Sequence, residues 1–141
     1  IYNQGKDYKR AAEAYERVLA RKPDLWVAAN DLAFLLAETG GDLEKAMGLA
    51  QKALAQRPEE TSVLDTVGWV HYKKGETARA IEYLEKALAK SPGDPSANYH
   101  LGMAYAKSGK KEQAKDHLSK ALAAGREFQG KEEAAKALGG L

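Results

Sequence analysis

Residues able to carry acid–base or metal chemistry are few in this chain. Histidines stand at 71, 100 and 117, and no two have the i, i+4 spacing that places two ligands on one helix face. There is no cysteine, so thiolate metal sites, a Cys nucleophile and a disulfide framework are all excluded. No Ser lies in a nucleophile-elbow motif that would accompany Asp65 and His100. Gly40-Gly41 and Gly139-Gly140 lack the Gly-x-x-x-x-Gly-Lys pattern of a phosphate loop. Lys107, Lys110, Lys111 and Lys115, with Lys73 and Lys74 upstream, form a modest basic cluster that reads as a solvated loop edge. The expectation is therefore no catalytic residue, no metal site and no cofactor, which leaves non-covalent recognition as the chemistry available.

Composition points the same way. Among 141 residues, 22 are Lys or Arg and 20 are Asp or Glu, a net charge of +2. A dedicated nucleic-acid binder carries a concentrated basic face, so no nucleic-acid partner is expected. No apolar run approaches the roughly 20 residues that span a bilayer, and no signal peptide is visible. Cysteine-free chains suit either redox environment, so the compartment stays open between cytoplasm and cell envelope. The chain starts Ile-Tyr-Asn, and a native N-terminus is expected further upstream.

The elements that would position any site follow from a repeat. Gly68 and Gly102 are 34 residues apart, as are Gly75 and Gly109, Ala80 and Ala114, and Ala87 and Ala121. Pro58 and Pro92 share that spacing, as do Ala46 and Ala80, and Ala53 and Ala87. Each unit reads as two helices. In the third, Val63, Leu64, Val67, Val70 and His71 form one helical stripe that Gly75 stops. Ala80, Ile81, Leu84, Ala87 and Leu88 form the next, and Pro92 prevents its continuation. Gly68 and Gly102 sit inside helices, where Gly costs about 1 kcal/mol relative to Ala, so close helix approach is the reason to have them. His71 falls among these core positions and reads as a buried or half-buried hydrogen-bonding residue.

Leu-Gly…Tyr…Gly…Ala…Ala…Pro at this period resembles the tetratricopeptide repeat. LGMAYAKSGKKEQAKDHLSKAL (101–122) and VGWVHYKKGETARAIEYLEKALAKSP (67–92) carry the likeness most fully, and it extends over about residues 1–124. Unit two departs from it at Ala33, in place of the helical Gly, and at Gly40-Gly41, where the turn is one residue longer; Gly5 to Ala11 shows the same longer turn. The resemblance implies an all-α, right-handed superhelical solenoid of antiparallel helix hairpins with a C-terminal capping helix. Its expected divisions are 1–25 (a truncated first repeat, mainly its second helix), 26–60, 61–94 and 95–128 (repeats), and 129–141 (the cap). Half a hairpin cannot cover both its faces, so Tyr8 and Tyr15 are expected to be partly bare.

In this family the first helix of each unit lines a concave groove that commonly grips a peptide. The matching residues here are Asn30, Phe34, Ala37 and Glu38, then Asp65, Trp69, Tyr72 and Lys73, then Tyr99, Met103, Ala106 and Lys107. Phe34, Trp69 and Met103 are equivalent and are expected to form an apolar row, with Asn30, Asp65 and Tyr99 a parallel polar row. Asp65 and His100 fall on adjacent first helices, close enough for a structural contact. One variant of the family clamps C-terminal carboxylates with Lys and Asn side chains. The matching places here hold Asn30, Phe34, Thr66, Tyr99 and Met103, so that clamp is not expected. The implied function is a protein-interaction module binding a peptide or helical segment of a partner, with a self-associating scaffold as the other reading. GGDLEKAMGLAQKAL followed by LDTVGWVHYKKG is similar to repeat proteins of bacteria.

Overall fold

The computed structural model describes residues 4–141, which form eight helices joined by short turns. They are α1 (Gln4–Arg21), α2 (Trp26–Glu38), α3 (Leu43–Gln56), α4 (Thr61–Lys73), α5 (Thr77–Lys90), α6 (Pro95–Lys107), α7 (Lys111–Ala123) and α8 (Lys131–Gly139). Helices α2 and α3, α4 and α5, and α6 and α7 pair as hairpins, while α2, α4, α6 and α8 lie side by side. The molecule is an all-α helical repeat solenoid.

Glycines end the first helices for a stated reason. Gly40, Gly75 and Gly109 have φ of +71°, +85° and +78°, a region that strains any L side chain. The next N–H in each case (Gly41, Glu76, Lys110) returns to the carbonyl of Leu36, His71 or Tyr105 at 2.8, 2.9 and 2.9 Å, closing the helix end. The extra residue of the second unit, Gly41, separates the end of α2 from the residue that starts α3, Asp42. Asp42 caps α3 by accepting the Lys45 N–H at 3.0 Å, a bond that the starts of α5 and α7 lack. Asp94 caps α6 in the same manner, with Pro95 in the first turn.

Close approach explains the helical glycines. A Cβ on Gly68 would lie 2.6 Å from Leu84 Cγ, and one on Gly102 would lie 2.7 Å from Leu118 Cγ. Both leucines are wholly buried. The equivalent places in the α2–α3 hairpin hold Ala33 and Ala50, both buried in one cluster. Volume has moved across the contact: two methyls replace a hydrogen facing an isobutyl group.

One expectation is corrected. No turn separates Gly5 from Ala11; α1 runs unbroken from Gln4 to Arg21. Its other residues are mostly good helix formers, and a helix of 18 residues absorbs one interior Gly. The tail of a preceding helix, expected before it, lies outside the described residues. At the far end α8 packs on α7 and α6 with Ala134 wholly buried.

Candidate functional site

The first helices bring the expected groove residues to one face, but their neighbours cover several of them. Trp69 is only 2% exposed. Tyr72, one turn along α4, stacks on its ring at 4.6 Å, and His100 of α6 stacks at 4.0 Å. Its indole N–H donates to Glu38 of α2. The Lys73 ammonium sits 5.0 Å from the same ring, and Lys107 sits 5.1 Å from the Tyr72 ring. The apolar row is therefore interrupted: Phe34 and Met103 are half-buried, and Trp69 between them forms the floor. Side-by-side first helices leave too little room for an indole to project freely.

The polar row is corrected likewise. Asn30, Asp65 and Tyr99 are all buried. The two oxygens of Asp65 are taken by Ser96 Oγ at 2.8 Å and by His100 Nδ1 at 2.6 Å, so this row stitches α4 to α6. His100 is wholly buried, and the expected Asp65–His100 contact is present. The Tyr99 ring packs against Phe128 at 6.0 Å and against Gly130, leaving no room for a Cβ there. Burial, with Glu38 and Glu133 nearby, pushes its phenol far up. Asn30 differs from its two equivalents, since its Oδ1 meets no donor among the described residues.

Open space remains at one end of this face. A cavity of about 690 Å³ lies between α1, α2 and α4, with α6 and the loop before α8 at its edges. Of the predicted groove residues, Asn30, Phe34, Glu38 and Asp65 line it; Ala37, Trp69, Tyr72, Lys73, Tyr99, Met103, Ala106 and Lys107 do not. Tyr8 and Tyr15 of α1 form another wall, half-buried as expected. Among the described residues, five carboxylates lie on the lining (Asp31, Glu38, Glu60, Asp65 and Asp94), and no Lys, Arg or His does. Burial raises the Asp31 carboxyl above its ordinary value, and burial together with Asp31 raises Tyr15. Asp31 escaped the sequence reading because its equivalents, Thr66 and His100, are enclosed by the preceding first helices.

The remaining histidines serve packing. His71 is buried with Nδ1 2.7 Å from Glu76, whose carboxyl is held low mainly by that bond. His117 lies 2.9 Å from Asn98 Oδ1, and burial pulls its pKa down. No described helix is long and apolar enough to cross a membrane.

This architecture recurs in solved structures. MamA from Desulfovibrio magneticus is 21% identical, with a TM-score of 0.70 over 86% of this chain and 68% of that one. A thermophilic TPR protein from Thermus thermophilus is 24% identical, with a TM-score of 0.72 over 90% of this chain and 71% of that one. At these identities the likeness concerns the fold. In sequence, a TPR repeat-containing protein of Pseudomonas aeruginosa is 36% identical over 61 residues. That match covers 43% of this chain and 10% of the relative, so the chain spans a small part of that protein's length. The family model for the tetratricopeptide repeat matches residues 3–67 and 71–139. With helix hairpins, a close-packed glycine at the crossing and first helices side by side beside that match, the chain belongs to the tetratricopeptide repeat family.

Proposed function

We propose that the chain is a non-catalytic interaction module whose concave face holds a segment of a partner polypeptide. The observation that carries this reading is the cavity of about 690 Å³ at the α1–α2–α4 end of that face. Its wall combines half-buried Phe34 and Tyr15 with polar Asn30 and Asp65, the mix of apolar body and few polar groups that suits a bound peptide. Selecting binders from a displayed library of short random peptides tests this. Binders are expected to be recovered and to be lost on Phe34→Ala, with far-UV circular dichroism unchanged. Recovery of none, or of peptides indifferent to Phe34→Ala, removes the reading.

A self-associating scaffold is the second reading, favoured by a separate feature. Val18, Leu25 and Val27 are 39%, 38% and 44% exposed around the α1–α2 turn. Under this reading sedimentation velocity shows a concentration-dependent oligomer that Val27→Glu disperses; a monomer at every concentration rejects it.

A further inference from the structure

We propose that the cavity between α1, α2 and α4 receives an arginine side chain from a basic segment of the partner. This rests on the interaction reading above and names the chemistry of what is bound.

The first argument is charge. The chain as a whole carries +2, yet among the described residues the cavity wall bears only acidic ionisable side chains apart from tyrosines. Lysines that approach the concave face, Lys73 and Lys107, lie over the Trp69 and Tyr72 rings instead of in the cavity. A cationic segment is drawn to such a wall, and an acidic one is repelled.

The second argument is which acceptors remain free. Asp65 is saturated by Ser96 and His100, and Asp94 caps α6. Glu38 accepts from Trp69. The carboxylates of Asp31 and Glu60 enter no hydrogen bond or ion pair among the described residues; Glu60 stands at the start of α4 without its side chain capping it. Independently of these carboxylates, Asn30 is 6% exposed, lines the cavity and leaves its Oδ1 without a donor. A buried acceptor with nothing to accept is uncommon in a folded protein, and it marks a place where a donor arrives. Asn30 and Asp31 both line the cavity, so the two unmet acceptors face the same space. Gln129 already brings an amide donor across the mouth, with Nε2 3.2 Å from Tyr8 Oη and 3.4 Å from Glu38 Oε2. Those bonds are long, and a stronger donor would displace them.

The third argument selects arginine over lysine. A guanidinium offers five donors in a flat fork and stacks on aromatic faces. Several acceptors beside the rings of Phe34 and Tyr15 suit that shape better than the compact ammonium of lysine.

The test uses the recovered peptides, synthesised with a fluorescent label and followed by anisotropy. Arginine is expected to be enriched among them. Replacing that arginine by lysine, or Asp31→Asn in the protein, is expected to weaken binding about ten- to hundredfold, as for loss of a charge-assisted hydrogen bond. Glu60→Gln, at an exposed position, serves as a second variant that does not threaten folding. Peptides that lack arginine, require Phe34 and ignore Asp31→Asn overturn this inference while the interaction reading stands. Equal binding of a scrambled peptide of the same charge overturns it as mere attraction. A dimer that Asp31→Asn disperses assigns the cavity to a second copy of the chain and overturns it too.

Discussion

Asp31 is a half-buried carboxylate with no partner among the described residues, and burial raises its pKa. The folded state therefore keeps that proton to a higher pH than the unfolded chain does. Stability is lost as pH rises through the unfolded value of about 3.9, and the penalty is full above the folded value. Asp31→Asn is expected to raise the Tm at about pH 7, with the gain vanishing at about pH 3, where both states carry the neutral acid. Equal Tm values for the two proteins at neutral pH would show that the carboxylate is well solvated. Trp69 gives the opposite outcome. Its ring is sealed by Tyr72 and His100, so Trp69→Ala removes core volume and is expected to cost about 3–5 kcal/mol in urea unfolding. A loss of peptide affinity without that destabilisation would mean that the indole reaches the partner directly. Spacing along α4 places Trp69 on the concave side, but its burial depends on how closely α2 and α6 flank it. That distance is a tertiary quantity with no local signature, so the sequence marks the face and not the free atoms upon it.

Hairpin geometry, by contrast, is written in small residues. Gly40, Gly75 and Gly109 end the first helices at positive φ, and two of the three crossings set a glycine against a leucine: Gly68 against Leu84 and Gly102 against Leu118. Such positions repeat in the sequence because the backbone leaves them no choice, which is why the hairpins of α2 to α7 were legible. Gly5 misled for a related reason. A glycine at turn spacing need not break a helix, and this one sits within α1. The Ala33 and Ala50 pair shows that the crossing tolerates other divisions of volume. Gly68→Ala alone is expected to destabilise the chain, because its Cβ would meet Leu84 Cγ at 2.6 Å and overpacking typically costs about 1–3 kcal/mol. Leu84→Ala alone leaves a cavity, at about 2–5 kcal/mol. The double variant, which recreates the α2–α3 arrangement, is expected to cost less than the sum of the two. A double-mutant cycle measures the coupling, and strict additivity would mean the two sites do not press on each other.

At the scale of the whole molecule, each helix of a solenoid is held by contacts with its nearest neighbours alone. Helix α8 has nine residues, too few to persist unaided, and it survives by docking on α7 and α6. The dock depends on Gly130, whose φ is +98° and whose α-carbon lies under the Tyr99 ring; a Cβ there would come within 2.3 Å of Tyr99 Cε2. Substitution at Gly130 meets two obstacles at once, a strained backbone and a collision with a ring that Phe128 also holds. Gly130→Ala is therefore expected to lift α8 from the stack, lower the Tm and expose apolar surface to a hydrophobic dye. Because Gln129 adjoins this hinge and reaches Tyr8 and Glu38 across the concave face, the same change should also open the cavity mouth. Amide hydrogen exchange separates the effects: faster exchange confined to α8 and α6 fits an undocked cap, whereas uniform acceleration from α2 to α7 means the solenoid unfolds as one unit. Protection of α8 equal to that of the unsubstituted protein would show that Tyr99 yields its place, and that this end of the groove is more pliable than its packing implies.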